Sequence, residues 1–231
     1  MNIKFKSEIY FISLYGSKRY SDLEKYLNNQ SFKAKIIRAI SIKNKSFKEL
    51  KKGFCFEMHK EIYPGIIPTD REVACTLSHI HAIKKSDINN SLVLMEDDAR
   101  ITKNISLFKA ILARIEKLDK YDIVLLGFSK SDYKTEKYIN LINPFLKKYD
   151  LAIKGYKFHL GERYKHTTSG AVGYLINPKA KKKLIKIEKT FRLADDWKIL
   201  DNLGFKIGYL SPTIIKEDIT MISSLDHKQY F

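Results

Sequence analysis

The stretch Leu92-Val93-Leu94-Met95-Glu96-Asp97-Asp98 decides how the rest of the chain is read. Four consecutive apolar residues ending abruptly in charge match a short strand buried on both faces, as in the sheet of an α/β protein. Three carboxylates directly after such a strand are costly, because each repels the next and the strand holds them against a low-dielectric core. Open α/β sheets bind ligands beyond the carboxyl ends of their strands, which is where this triplet falls. Glu96 and Asp98, two apart, can point to the same side. A hard divalent cation takes oxygen ligands and often bridges to substrate phosphates. The triplet therefore reads as a Mn²⁺ or Mg²⁺ site for a diphosphate, with Glu96 and Asp98 as the metal ligands.

Upstream, Thr69-Asp70-Arg71-Glu72 has the spacing of a capping box and predicts a helix lasting to about Ser86. Val73, Leu77, Ile80 and Ile83 would share its apolar face. Ile9 to Leu14 reads as a first strand, Ser17 as the cap of a helix running to Asn28, and Lys35 to Ile40 as a second strand. Residues 43–68 are Lys-rich and weakly patterned, end in Pro64-Gly65 and Pro68, and form a candidate substrate-closing loop. Downstream, the pattern predicts a helix over 105–118, a strand over 122–126 closed by Gly127, and a strand over 170–176. Asn177-Pro178 opens a helix carrying Lys179, Lys181, Lys182, Lys183 and Lys186. A short helix from Asp195 to Leu203 stops at Gly204, and Phe205 to Leu210 is a last strand. Residues 129–168 show no period and are a second candidate loop. Strands alternating with amphipathic helices give an α/β class. With no repeat or low-complexity linker, residues 1–231 read as one doubly wound domain around a central mixed sheet.

The charge narrows the partners. The chain carries a formal net charge of +17 in 231 residues. Residues 1–115 hold 21 Lys+Arg against 12 Asp+Glu, and residues 116–231 hold 22 against 14, so the excess is not a basic tail. Such a field favours anionic partners. Nucleic acid is not expected, because no helix-turn-helix, zinc finger or RNP-like aromatic pattern accompanies the charge. Cys55 and Cys75 are too few for a disulfide framework and read as reduced, buried thiols. The apolar run Ile9 to Leu14 is short for a signal-peptide core of roughly 7–15 residues, and nothing approaches the ~20 residues of a membrane span. The expected location is cytoplasmic.

A second acidic site lies at Arg192-Leu193-Ala194-Asp195-Asp196-Trp197. Asp195 is placed to cap the short helix and Asp196 lies in its first turn. A metal-bound diphosphate leaving group needs a base for the incoming hydroxyl. Asp196 is the first candidate and Asp195 the second, with Trp197 as an aromatic platform for a sugar. Ser78-His79 and His81 lie on the capped helix, but His-x-His does not put both rings on one face, which argues against a zinc pair. Gly170-Ala171-Val172-Gly173 is too short for a dinucleotide fingerprint.

Cys75-Thr76-Leu77-Ser78-His79 followed by Leu92 to Ala99 resembles the family 25 glycosyltransferases, which build lipooligosaccharide in bacteria and modify collagen in animals. Tyr121 to Gly127, Ser169-Gly170 with Gly173 to Ile176, and Asp196-Trp197 agree in the same order. The resemblance implies a GT-A-like fold and an inverting transfer from a UDP-sugar, most often UDP-galactose, to a saccharide hydroxyl. It places the metal on Glu96 and Asp98, the nucleotide ribose at Asp97, and further donor contacts at Arg71, Ser78, His79, Ser169 and Gly170. Residues 1–100 would form mainly the nucleotide-sugar and metal half, and 101–231 mainly the acceptor half. The acceptor would be an oligosaccharide or lipid-linked saccharide, with peripheral contact at an anionic membrane. The family's first strand usually ends in Asn-Leu-Asp-Arg, where this chain has Ser13-Leu14-Tyr15-Gly16, so Lys18 or Arg19 would have to stand in. A nucleic-acid-binding protein and a non-catalytic sugar-binding relative are the rival readings.

Overall fold

The computed structural model describes residues 6–44, 47–127, 148–153, 155–162, 170–218 and 220–221. In chain order the strands are β1 (Glu8–Ser13), β2 (Lys35–Arg38), β3 (Leu92–Glu96), β4 (Ala99–Ile101) and β5 (Ile123–Leu125). β6 (Lys148–Ile153), β7 (Tyr156–Glu162), β8 (Gly173–Ile176), β9 (Ile207–Ser211) and β10 (Ile215–Glu217) follow. The helices are α1 (Lys18–Asn28), α2 (Phe47–Leu50), α3 (Phe56–Ile62), α4 (Asp70–Lys85), α5 (Ile105–Leu118), α6 (Pro178–Ile185) and α7 (Trp197–Asn202).

Eight strands form one mixed sheet in the order β2-β1-β3-β8-β5-β9-β7-β6, and β4 pairs with β10 in a separate ribbon. β1 runs parallel to both β2 and β3, whereas β8 is antiparallel to β3 and β5. Alternate residues of each central strand feed opposite cores. Ile9, Phe11, Val93 and Met95 meet the α5 face, with Phe108, Ile111 and Leu112. Tyr10, Ile12, Leu92 and Leu94 meet the other face, with Ala82 of α4, Leu184 of α6 and Trp197 of α7. That two-sided burial explains the continuous apolar runs of β1 and β3. The expected α/β architecture with a mixed central sheet is thus the observed one.

Local signals hold at the helix starts. The Thr69 side chain accepts from the Glu72 N–H while Glu72 reaches back to the Thr69 N–H, closing the capping box. Ser17 caps α1 and Asn177 caps α6, each by accepting a backbone N–H three residues on. Gly173 lets the β10 end pass closely, since a Cβ there would lie 2.6 Å from Ile215 Cδ1.

Several expectations need correction. Residues 43–68 are not a structureless loop: α2 and α3 lie within them, and Leu50 and Phe54 pack on Val73 and Ala74. Backbone bonds between Thr190 and Gly53 and Cys55 pin the segment further. In the second candidate loop, residues 148–162 contain the hairpin β6–β7, which extends the sheet beyond β9; residues 128–147 and 163–169 lie outside the described residues. The buried face of α4 runs through Thr76, Ser78 and His79, while Leu77 and Ile80 are only half-buried. The lysines of α6 do not form one solvated face either. Lys181 is fully buried and donates to Ser86 Oγ at 2.9 Å and to the Asp87 carbonyl at 2.5 Å. Both cysteines are free and half-buried rather than fully buried. No helix among the described residues is long and apolar enough to cross a membrane.

Candidate active site

β2 is added on one side of β1 and β3 on the other, so the order of strand addition reverses at the β1–β3 seam. Doubly wound sheets bind ligands at such a reversal, outside the carboxyl strand ends. A cavity of about 590 Å³ opens there. Its floor is formed by Ser13 and the Glu96-Asp97-Asp98 turn, one wall by α4, and the opposite wall by residues 170–172 and 193–195. Both halves of the chain therefore line it.

The turn is built around Arg19, which the sequence reading named only as a stand-in. Arg19 Nη1 sits 2.9 Å from Asp97 Oδ1, and Nη2 donates to Asp98 Oδ2. Ser13 Oγ donates to the second Asp97 oxygen at 2.8 Å, so Asp97 is fully engaged by protein. Burial opposes the charge on Arg19, but Asp97 and Asp98 outweigh it and keep the guanidinium firmly protonated. Burial also raises the Asp97 carboxyl above its ordinary range. Asp98 is pushed up to about 7, first by burial and next by the charge of Glu96, against the opposing pull of Arg19.

Among the described residues Arg19 is the guanidinium paired with the carboxylates of this turn, and the mutual repulsion of Glu96, Asp97 and Asp98 is only partly offset. The buried Asp98 Oδ1 has no hydrogen-bond partner, and the Glu96 side chain is about a third exposed on the cavity floor. An orphaned buried carboxylate oxygen beside a second, open carboxylate is a donor set that fits a hard divalent cation. Glu96 and Asp98 do lie together on the floor, as their spacing suggested.

The wall from α4 brings Arg71, Cys75, Ser78 and His79 to the cavity, positions spaced to share one side of a helix. Ser78 is spoken for internally: its hydroxyl donates to the Ala74 carbonyl at 2.7 Å and accepts the Ile40 N–H at 2.8 Å. His79 is buried, stacks on Tyr174 with ring centroids 5.8 Å apart, and shares a 2.7 Å hydrogen bond with the Tyr174 hydroxyl through Nδ1. Its Nε2 points toward Glu96 at 3.6 Å, beyond hydrogen-bond reach, and has no hydrogen-bond partner among the described residues. His81 is not among the cavity-lining residues.

The opposite wall separates the two aspartates. Asp195 lines the cavity and accepts the Gly170 N–H at 3.2 Å. Gly170 makes that turn with φ of +83°, a region open to glycine at little cost. Burial raises the Asp195 carboxyl, against the effect of the Gly170 N–H. Asp196, not Asp195, is the cap of α7: one of its oxygens accepts the Ile199 N–H at 3.3 Å and the other takes the Tyr63 hydroxyl. It is not among the residues that line the cavity. Trp197 is no platform for a sugar. It is 2% exposed, packs edge-on against Tyr174, and donates its indole N–H to the Gly170 carbonyl at 3.3 Å. Arg192, which the sequence reading passed over, is buried beneath this wall and donates to the Leu193 carbonyl at 2.9 Å. Ser169 lies outside the described residues.

The family model for glycosyltransferase family 25, described as an LPS biosynthesis protein, matches residues 6–199. The chain belongs to this family. The matched span contains the floor, the α4 wall, and Asp195 and Asp196. Among solved structures, a galactosyltransferase, LgtC in complex with donor and acceptor sugar analogues, is 13% identical with a TM-score of 0.39. That alignment covers 87% of this chain and 72% of the other. No protein of curated function matches the sequence. The family places the chain among the glycosyltransferases of lipopolysaccharide biosynthesis, so the cavity at the β1–β3 seam is the candidate active site.

Proposed function

We propose that this family 25 member is a GT-A-like transferase that moves a hexose, galactose by the family resemblance, from a UDP-sugar to a saccharide hydroxyl with inversion. The acceptor is an oligosaccharide or lipid-linked saccharide of the lipooligosaccharide core. One observation carries the reading: the orphaned Asp98 oxygen and the open Glu96 carboxylate share the cavity floor, and Asp195 faces the same cavity from the other wall.

Glu96 and Asp98 would hold Mn²⁺ or Mg²⁺. A cation bound there supplies Lewis-acid neutralisation of a departing diphosphate. Asp97, with its oxygens held by Ser13 and Arg19, would orient the turn that carries Glu96 and Asp98, and the ribose contact that the family resemblance gives it would need a further lone pair. Arg19, in the first turn of α1, would supply the positive charge that the family's usual strand-end motif provides. Arg71 at the start of α4 and the backbone at Gly170 are placed for the donor, while Ser78 serves by holding the Ile40 backbone. The base is Asp195. Its carboxylate lines the cavity and accepts the Gly170 N–H, and burial raises it above its ordinary range, the direction that strengthens a general base. Asp196 acts one step back, tying α7 to Tyr63 of the α3 segment. We further propose that residues 1–231 work as one domain.

Single-turnover transfer by Asp195→Asn and Asp196→Asn variants tests the assignment. Asp195→Asn should lower the transfer rate by roughly 10²–10⁴-fold with donor affinity nearly unchanged, as expected for loss of a general base. Asp196→Asn should retain far more activity. The reverse ranking would return the base role to Asp196.

A further inference from the structure

We propose that Cys75, His79 and Glu96 form a binding site for a thiophilic divalent cation of the Zn²⁺ class, distinct from the hard-cation position at Asp98. The Cys75 sulfur, a His79 ring nitrogen and a Glu96 oxygen all lie within 4.8 Å of one another. All three residues line the cavity, so a cation has a route in.

Their placement follows from elementary geometry. Residues four apart on a helix are neighbours on its surface, which sets Cys75 above His79 on α4. Glu96 is the last residue of β3, and α4 packs across that strand end. Zn²⁺ takes nitrogen and oxygen donors at about 2.0–2.2 Å in a tetrahedron, which puts adjacent donors roughly 3.4 Å apart. The His79 Nε2 to Glu96 Oε1 separation is 3.6 Å, too long for a hydrogen bond and close to that tetrahedral edge. The sulfur, within 4.8 Å of the other two donors, would have to close on them to complete the set.

The histidine supplies the independent sign of a ligand. The residue is 2% exposed, and Nε2 is buried with no hydrogen-bond partner among the described residues. A buried polar nitrogen left unsatisfied costs about 1–3 kcal/mol unless something fills its position. Nδ1 is meanwhile held by the Tyr174 hydroxyl and the ring is fixed by stacking on Tyr174. Metal-ligating histidines are oriented in this way, with the second ring nitrogen hydrogen-bonded to an oxygen. With Nδ1 donating to Tyr174, the Nε2 lone pair faces Cys75 and Glu96. Sulfur and imidazole ligands select Zn²⁺ over Mg²⁺ or Mn²⁺. Binding forms S–Zn, N–Zn and O–Zn bonds and releases the Cys75 thiol proton to solvent. Three protein ligands leave a fourth position open toward the cavity. Because Glu96 belongs to both positions, occupancy by Zn²⁺ would compete with the hard cation; that consequence rests on the proposed donor site, whereas the binding itself does not.

Co²⁺ titrated into the metal-stripped full chain provides the test, since it reports a thiolate ligand directly. One equivalent should bind with a near-ultraviolet thiolate-to-cobalt absorption that Zn²⁺ abolishes. Cys55→Ser should keep the band, Cys75→Ser should lose it, and His79→Gln should weaken binding at least about tenfold. Alkylation of the Cys55→Ser protein, whose remaining thiol is Cys75, needs no altered ligand. One equivalent of Zn²⁺ should protect that thiol and a chelator should re-expose it. Absence of the thiolate band, its survival in Cys75→Ser, or an alkylation rate indifferent to Zn²⁺ would each overturn the site. None of these readouts depends on sugar transfer.

Discussion

Replacing Arg19 by Met removes the guanidinium that bridges Asp97 and Asp98 while keeping most of the side chain's bulk. Breaking a buried ion pair by deleting one partner typically costs about 3–5 kcal/mol. The side chain of Arg19 is 20% exposed and Asp98 can take up a proton, both of which soften the loss. A cost of about 2–3 kcal/mol is therefore expected, or roughly 4–12 °C in melting temperature for a chain of this size. The sign of the pH dependence follows from Asp98. Its folded-state carboxyl already sits at about 7, above its ordinary value of 3.8, and Arg19 is what holds it down. A carboxyl raised in the folded state binds its proton more tightly there than in the unfolded chain. Its favourable contribution is full below the ordinary value and is lost as pH rises through the folded value. The Arg19→Met protein should therefore lose more stability, relative to the parent, at about pH 8 than at about pH 5. Mn²⁺ should restore part of it by occupying the freed carboxylates. Differential scanning fluorimetry across that range, with and without Mn²⁺, measures all three effects. A melting temperature equal to the parent's, or a deficit that shrinks as pH rises, would refute the reasoning.

Lys181→Met should cost about 1–3 kcal/mol in chemical denaturation, because it leaves the Ser86 hydroxyl and the Asp87 carbonyl without the buried ammonium. The exposed neighbour change Lys182→Gln should stay within about 0.5 kcal/mol. If α6 docks on anionic lipid through Lys182, Lys183 and Lys186, changing all three to Gln should remove roughly 3 kcal/mol, about a hundredfold in partition. Cosedimentation with anionic and neutral vesicles checks this; equal partition of the parent into both would end the idea.

How much of this was legible in the sequence depends on the range of the interaction. β1, β3, α4 and α5 announce themselves because strand alternation and helical spacing are local, and the Thr69–Glu72 box is complete within four residues. The segment 43–68 hid its order because helices of four and seven residues do not establish a period. Asp195 and Asp196 were hard to tell apart because both suit a helix start, and a shift of one position decides which carboxylate caps α7 and which lines the cavity. Trp197 looked like a platform because sequence does not reveal that Gly170 and Tyr174 enclose it. Arg19 joins the floor across 79 positions, a contact made only when β1 and β3 pair. Cys75 and His79 have a visible four-residue spacing, but their third partner, Glu96, arrives only through the packing of α4 on β3. The buried Lys181 and Arg192 could not be told from a surface rich in Lys and Arg.

Calorimetric titration of UDP into the metal-stripped chain, with and without Mn²⁺, tests the central claim most directly. Binding should require Mn²⁺, disappear in EDTA, and weaken at least about tenfold in Asp98→Asn, whose amide removes a ligand charge from the cation. Equal affinity for UDP with and without metal would contradict the role assigned to Glu96 and Asp98.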